Sequence, residues 1–262
     1  MADSVRAWHP DVPDVREVLH ATFEQHAYPA HTHDAWTVLI VDEGAVAYEL
    51  DRAPHHAIPA AITLLPPHVP HDGRSAVSGT AFRKRVIYLE SAWLPEGLVG
   101  SAVDHPELTD PRALATLADL HAAMGDPVDV IAAECRLLAL RDLVLDHLGE
   151  PAPTTPDLPL ARRLRGLLDD HLADSFTIAE AARALGVHPS HLVRVFSQAY
   201  GIPPHRYVTG RRVDRARRLL TQGRHAADVA AATGFHDQAH LTRHFRRVLG
   251  ATPRSFVPRS NH

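Results

Sequence analysis

An internal repeat in the last third of the chain constrains the fold more than any other feature of the sequence. The segment from Thr177 to Val208 matches the segment from Ala226 to Val257 at an offset of 49 residues. Upstream the offset falls to 48, so the second copy has one extra residue just after its glycine, Gly234. Because insertions are tolerated in turns and not in helices, each copy is predicted to be a helix, a turn and a second helix.

Local helix signals agree with this division of the first copy. Thr177 with Glu180 three residues later forms a capping box, Gly186 is suited to end that helix, and Pro189 is suited to begin the next one. Apolar residues recur at helical spacing in both second helices and are predicted to face inward: Leu192, Val195, Phe196 and Ala199 in copy one, and Leu241, Phe245 and Val248 or Leu249 in copy two. The sequence therefore predicts two tandem helix-turn-helix units.

Charge is strongly segregated along the chain. Residues 1–156 contain 10 Lys and Arg against 23 Asp and Glu, whereas residues 157–262 contain 17 against 8, a net charge of +9. A proline-rich stretch, 149–156, separates the two parts and is predicted to be an exposed linker between domains at 1–150 and 157–262. A GC-rich genome explains the preference for Arg over Lys but not the asymmetry, which favours a polyanionic partner such as nucleic acid.

The last hundred residues resemble the DNA-binding domain of AraC-type transcriptional regulators. The motifs are an Ala-rich first helix, Gly-Val-His-Pro-Ser-His-Leu-x-Arg-x-Phe in copy one, and Gly-Phe-x-x-Gln-x-x-Leu-x-Arg-x-Phe-Arg-Arg-x-Leu-Gly-x-x-Pro in copy two. The stretch 211–220 resembles the helix that joins the two units in that family, although by itself it indicates only an amphipathic helix with solvated arginines. The resemblance implies a sequence-specific regulator that binds double-stranded DNA, with RNA polymerase as a further candidate partner.

The resemblance also implies that the second helix of each unit enters a major groove. The residues carried over to base or nearby phosphate contacts are Ser190, Val193 and Arg194 in copy one, and Gln238, Ala239, His240, Thr242 and Arg243 in copy two. Arginine can pair with guanine and glutamine with adenine, whereas Val193 and Ala239 could only touch a thymine methyl group. Arg246 and Arg247 lie further along the helix and are expected to contact phosphates.

The acidic part of the chain begins with short β-rich runs at 36–41, 45–50, 60–65 and 81–89, bounded by Gly and Pro. They predict a small antiparallel barrel or sandwich. Helical periodicity follows at 112–124 and 128–148, and the second helix has apolar residues on more than one face. That excess apolar surface indicates either packing on the barrel or a homodimer formed through this domain.

Two histidine-containing segments resemble the signature motifs of cupin barrels: His31-Thr32-His33 followed by Gly44, and Pro66-Pro67-His68-Val69-Pro70-His71. The resemblance implies a cavity that binds a small-molecule effector, with His31, His33, Thr37 and His71 in its wall. The three histidines fall at metal-ligand positions of cupins, but Thr37 replaces the glutamate ligand, so neither a metal nor a cofactor is expected. Alternate residues of Arg83-Lys84-Arg85 could pair with an anionic effector or protect an edge strand.

These observations predict an α+β protein of two domains, a cupin-like antiparallel β-barrel with following helices and an all-α domain with two helix-turn-helix units. The alternatives are a metal-dependent cupin enzyme fused to a DNA-binding domain, which the incomplete ligand set disfavours, and an effector-independent regulator whose barrel only dimerises. Cys135 is the only cysteine, which excludes an intramolecular disulfide. Without a secretory signal or an apolar stretch long enough for a membrane helix, the protein is expected in the cytoplasm.

Overall fold

The computed structural model describes residues 3–24, 27–77, 80–125, 128–149, 157–174 and 176–257. Residue contacts divide the chain into a barrel unit, Met1–Ala122 with Ala139–Pro153, and a helical unit, Ala123–Leu138 with Thr154–His262. Most of the predicted linker, residues 150–156, lies outside the described residues. No helix in the described ranges combines the length and apolar character that crossing a membrane requires.

The described part of the barrel unit contains ten strands: β1 (Ser4–Trp8), β2 (Val15–Phe23), β3 (Ala27–His31), β4 (Trp36–Glu43), β5 (Val46–Leu50), β6 (Ala53–Ala57), β7 (Ile62–Leu65), β8 (His71–Ser75), β9 (Phe82–Leu89) and β10 (Glu107–Leu108). They form two antiparallel sheets, ordered β1-β2-β9-β4-β7-β10 and β3-β8-β5-β6. Inward side chains of both sheets, such as Leu39 and Phe82 from one and Tyr48 and Leu50 from the other, share one core.

The four predicted strands correspond to β4, β5, β7 and β9. Gly44 lies between β4 and β5 with φ +74°, and a Cβ atom there would lie 2.6 Å from the carbonyl oxygen of Ala81. A side chain at this position is therefore excluded both by backbone conformation and by space. The turn that brings β5 under β4 depends on this glycine.

Three helices complete the barrel unit in whole or in part: α1 (Val99–Asp104), α2 (Pro111–Ala123) and α3 (Val130–His147). The two predicted helices agree with α2 and α3 to within two residues at each end. The second half of α3 is tied to the barrel unit by Arg141, whose Nε donates to the carbonyl oxygen of Trp93 at 2.6 Å. The first half of α3, up to Leu138, belongs to the helical unit. The sequence analysis placed all of residues 1–150 in the first domain, so the two divisions of the chain differ at this helix.

The helical unit continues with α4 (Leu158–Asp170), α5 (Ile178–Leu185), α6 (Pro189–Tyr200), α7 (Pro204–Thr221), α8 (Ala226–Ala232) and α9 (Gln238–Leu249). The predicted capping box is present, because Thr177 N donates to Glu180 Oε2 at 2.8 Å and Glu180 N donates to Thr177 Oγ1 at 3.1 Å. Gly186 ends α5 in the left-handed conformation with φ 70°. The pairs α5–α6 and α8–α9 are the two predicted helix-turn-helix units, and α7 joins them. The predicted α+β organisation is confirmed.

Each helix-turn-helix unit has its own hydrophobic core. The core of the first unit combines α5 and α6 with leucines of α4 and with Ile131, Cys135 and Leu138 of α3. The core of the second combines α8 and α9 with Val213, Ala216 and Leu220, the apolar stripe of α7. The helix α4 was not predicted, and it packs directly on α6. This additional partner changes which side chains of α6 reach solvent.

Candidate nucleic-acid interface and ligand cavity

The outward face of α9 is polar and basic. Its exposed residues are Gln238, Ala239, Arg243, Arg246 and Arg247, and Thr242 is half-buried. Arg243 and Arg246 form no ion pair with a carboxylate in the described part of the chain, so their guanidinium groups are available for an external anion. The Thr242 hydroxyl donates to the carbonyl oxygen of Gln238 at 2.8 Å, which keeps it on the helix surface. This face can offer bidentate donors to base edges or phosphates.

The start of α9 is fixed by Asp237, whose Oδ1 accepts a hydrogen bond from His240 N at 2.6 Å. That bond lowers the pKa of the Asp237 carboxyl group. Because the carboxylate satisfies a backbone N–H at the positive end of the helix, it stabilises the first turn. Gln238 and Ala239 are thereby held at the exposed end of the helix.

His240 is the predicted contact that the structure corrects on α9. Its side chain is buried, with its ring 5.5 Å from that of Phe235 and its Nε2 2.8 Å from Nε2 of His244. The inward face of α9 is wider than the apolar pattern suggested, because it includes these two histidines beside Leu241 and Phe245. Conversely, Val248 and Leu249, one of which was expected to pack, are both exposed.

On α6 the structure corrects two of the three predicted contacts. Ser190 and Val193 are buried, and only Arg194 is partly exposed. Val193 belongs to the same cluster as the leucines of α4, so packing of α4 removes this side of α6 from solvent. Ala199, expected inside, is exposed.

Two polar residues of α6 that were not among the predicted contacts share a face with Arg194. His191 is half-buried and Gln198 is exposed, and the three residues lie at spacing i, i+3 and i+7. This spacing places them on one stripe of the helix. Polar residues at that interval were the signal in the sequence that could have identified them. The candidate reading face of α6 therefore consists of His191, Arg194 and Gln198.

The four predicted effector residues meet in one cavity of the barrel unit. His31, His33, Thr37 and His71 line a cavity of about 60 Å³ between the sheets. His33 Nε2 lies 3.0 Å from His71 Nε2, and the ring centroids of His31 and His71 are 4.6 Å apart. The fold thus brings β3, β4 and β8 residues from distant parts of the sequence to the same wall.

The cavity histidines form a self-consistent chain of hydrogen bonds. His71 Nδ1 donates to the carbonyl oxygen of Val69 at 3.0 Å, so its Nε2 accepts from His33 Nε2. His33 Nδ1 then accepts from the Thr37 hydroxyl at 3.3 Å. This assignment gives each ring nitrogen of the two histidines one role. Burial lowers the pKa of His33 to about 4 and also lowers that of His71, so both imidazoles are neutral at pH 7.

The same three histidines could hold a metal ion, since one nitrogen of each lies within 4.8 Å of the others. His31 and His71 donate Nδ1–H to backbone carbonyl oxygens, as metal-ligating histidines commonly do. His33 would first have to move its proton from Nε2 to Nδ1, and Thr37 contributes no carboxylate. The donor set is therefore three neutral nitrogens, a weaker set than one completed by a glutamate.

A second group of potential metal ligands lies in the helical unit, formed by Asp129, His240 and His244. His244 Nδ1 lies 2.8 Å from Arg247 Nη2, and His240 Nδ1 lies 3.3 Å from the backbone N of His236. Since His240 Nε2 and His244 Nε2 are 2.8 Å apart, only one of these two nitrogens can carry a proton, so two neutral imidazoles cannot make all three hydrogen bonds. Both histidines are buried, and burial lowers the pKa of His244 to about 4.

The basic tripeptide on β9 is divided between two environments. Arg83 and Arg85 form ion pairs with Glu43 at 2.7 Å and Asp42 at 2.6 Å, whereas Lys84 is buried and lines the cavity. Because β9 lies between β2 and β4, the edge-strand alternative is wrong. The side-chain alternation of a strand explains why Lys84 alone points inward.

Comparison with protein families supports both halves of this description. Residues 181–259 match the family model described as a helix-turn-helix domain, and residues 15–140 match the AraC-like ligand binding domain. The two matches lie in different parts of the chain and contain the two candidate sites.

Three characterised or named relatives illustrate the range of similarity. The activator RhaS of Klebsiella pneumoniae (strain 342) is 26% identical over 245 residues, covering 88% of this chain and 87% of RhaS. The uncharacterised regulator YbfI of Bacillus subtilis (strain 168) is 28% identical over 134 residues, 48% of this chain and 47% of YbfI. The arabinose operon regulatory protein of Escherichia coli (strain K12) is 36% identical over 103 residues, 37% of this chain and 35% of that protein. The match thus spans most of RhaS but only about half of YbfI.

Proposed function

We propose that this chain, which belongs to the AraC family of transcriptional regulators, reads DNA with the outward faces of α6 and α9 and responds to a small molecule bound in its barrel. The observation that carries the proposal is the pair of helix-turn-helix units whose second helices both present polar, arginine-containing faces. Since two such faces joined by one helix suit neighbouring groove segments, one chain is expected to protect two segments about one turn of DNA, roughly 34 Å, apart.

The two reading faces are chemically different, and this supports a non-palindromic site for one chain. The α6 face consists of His191, Arg194 and Gln198, whereas the α9 face consists of Gln238, Ala239, Thr242 and Arg243 with Arg246 and Arg247 further along. Arginine favours guanine and glutamine favours adenine through paired hydrogen bonds. The two half-sites are therefore expected to differ in sequence. Dimerisation through the barrel unit and contact with RNA polymerase remain predictions.

The test is selection of bound sequences from random DNA with the full-length protein, followed by base-preference profiles of variants. Arg243→Ala is expected to change preferences in one segment only. The matched control is Arg162→Ala, which removes an exposed arginine of the same unit from α4, a helix that contributes to neither reading face. Absence of any sequence preference in the wild-type protein, or equal effects of the two substitutions, contradicts the proposal.

A further inference from the structure

The barrel cavity contains a buried lysine, Lys84, that is 9% exposed and forms no ion pair with any described residue. Its Nζ lies 4.1 Å from the centroid of the Tyr28 ring. Burial lowers the pKa of Lys84 to about 8, and no carboxylate acts in the opposite direction. A buried ammonium group without an anionic partner is costly, so the site favours a ligand that supplies the missing charge.

The one carboxylate in the cavity wall is already engaged. Asp72 Oδ1 accepts a hydrogen bond from Glu49 N at 2.7 Å, and its Oδ2 lies 3.8 Å from Nη1 of Arg74. It forms no ion pair with Lys84. The other titratable groups of the wall are histidines and tyrosines. An imidazole is either neutral or positively charged, and burial raises the pKa of Tyr28, Tyr48 and Tyr88, so none of these groups supplies a negative charge at pH 7.

The Tyr48 hydroxyl and Thr63 Oγ1 are two further buried polar groups of the same cavity. They lie close enough to hydrogen-bond to each other, and neither bonds to another described residue. In such a pair one hydroxyl donates and the other keeps its hydrogen. The cavity therefore offers one hydroxyl donor to a ligand in addition to the ammonium group of Lys84.

From this arrangement we propose that the barrel cavity binds a short-chain monocarboxylic acid, with its carboxylate on Lys84 and its apolar part against the aliphatic wall. The charge of the ligand follows from Lys84, the one lysine or arginine among the residues that line the cavity, so a dianion such as phosphate is left half compensated. Its apolar part follows from Leu39, Val46 and Val86, which line the same cavity. Its size follows from the volume, since about 60 Å³ is well below the roughly 150 Å³ that accommodates benzene.

This inference rests on the proposed function for its regulatory meaning, but its test does not depend on DNA. Lys84 is the only lysine of the chain, so protein labelled with [13C]lysine gives one side-chain reporter. The Lys84 resonance is followed against pH in the full-length protein, first alone and then with acetate, propionate or butyrate, each compared with its neutral amide. The carboxylates are expected to raise the pKa of Lys84 by about one unit and to bind at least tenfold more tightly than the amides, because only they supply a negative charge.

Variants separate this site from binding elsewhere. Lys84→Met keeps the length of the side chain and removes its charge, and it is expected to weaken carboxylate binding at least tenfold in calorimetry. Arg83→Met is the matched control, since Arg83 precedes Lys84 on the strand but pairs with Glu43 outside the cavity, and it is expected to leave binding unchanged. If Lys84→Met does not fold, the titration of the wild-type lysine still decides.

Three results overturn the inference: a Lys84 resonance that no carboxylate shifts, equal responses to acid and amide, or carboxylate binding that survives in Lys84→Met. Failure of the proposed function looks different, because it leaves these ligand responses intact while the protein shows no sequence-specific DNA binding. If carboxylate binding changes the affinity of the protein for DNA, the result supports both the carboxylate site and the proposed regulatory function.

Discussion

The barrel unit and the helical unit place their charged groups in opposite ways. In the barrel unit a lysine, two neutral histidines and a tyrosine hydroxyl face a cavity, and the surface arginines Arg16, Arg83 and Arg85 are paired with carboxylates. In the helical unit the arginines of α9 point outward, and Arg243 and Arg246 have no described carboxylate partner. A single unpaired charge inside a cavity suits a small ligand, whereas several unpaired charges on one helix face suit a polyanion.

The largest expected difference between the units is their response to salt. DNA binding by the full-length protein is expected to weaken by about 10³-fold or more between 50 and 200 mM salt if six or more phosphates are contacted, because counterions are released on binding. Carboxylate binding at the buried Lys84 is expected to change little over the same range, since buried pairs are weakly screened. Filter binding and calorimetry across a salt series measure the two. If DNA binding and carboxylate binding depend equally steeply on salt concentration, the proposed difference between the two units is contradicted.

Substitutions on α9 sharpen the contrast between reading and positioning. Arg243→Ala is expected to cost about 1–3 kcal/mol of binding free energy and to relax base preference in one segment, as for a lost bidentate base contact. Arg247→Ala is expected to weaken all sequences uniformly, as for a lost phosphate contact. Competition binding against a panel of single-base variants of the selected site measures both. Unchanged preferences in Arg243→Ala would falsify its role in direct readout.

Removal of a buried carboxylate is expected to destabilise the helical unit and not the barrel unit. Glu134 is 3% exposed and accepts hydrogen bonds from Ile178 N at 2.7 Å and Ala179 N at 3.3 Å, at the start of α5. Glu134→Ala is expected to cost about 2–3 kcal/mol of unfolding free energy, as for charged hydrogen bonds. Urea unfolding measures it, with exposed Asp170→Ala as the control. Equal stability of the two variants counts against this capping role.

Acid is expected to weaken both units through buried histidines. Burial lowers the pKa of His121 in the barrel unit and His205 in the helical unit to about 3. A histidine with a lowered folded-state pKa contributes its full stability above the unfolded pKa of about 6.5, and that stability is lost as the pH falls toward 3. The slope is about 1.4 kcal/mol per pH unit for each proton taken up on unfolding. His121→Phe should reduce this slope by about 1.4 kcal/mol per pH unit between pH 6 and 5, the contribution of one proton.

Metal removal is expected to have the smallest effect. Because the histidines of the cavity satisfy one another and lack a carboxylate ligand, EDTA is expected to leave the melting temperature and DNA affinity unchanged. Elemental analysis and calorimetric melting of the purified protein check this. A stoichiometric metal, or a melting temperature that falls on chelation, contradicts this prediction and shows that one of the two histidine-containing groups holds a metal.

Much of the helical unit was predictable because its signals are local. A capping box, a left-handed glycine and a proline at the first turn depend on a few neighbouring residues, and all three occur where the sequence indicated. The two-helix repeat followed from these signals and from the position of one inserted residue. In the barrel unit, six of the ten described strands were missed: β1, β2, β3, β6, β8 and β10. The strands β1, β3 and β6 are mostly exposed and β2 does not alternate regularly, and strand pairing depends on partners far away in the chain.

The site residues show the same distinction between local sequence signals and contacts with distant parts of the chain. The four cavity residues were predicted from motif resemblance, but the inward position of Lys84 depends on the register of β9 with β2 and β4. The burial of Val193 depends on α4, and that of His240 on contacts with Phe235 and His244. None of these partners lies within one helical turn of the residue that it covers, except His244.

By itself, therefore, the sequence determined the two helix-turn-helix units, the segregation of charge and the α+β organisation, because helix caps, turn residues and net charge act locally or additively. Only the tertiary structure decided which of the polar residues face solvent and which face a cavity. A helix has several faces and a strand has two, and the choice among them is made by the elements that pack against it.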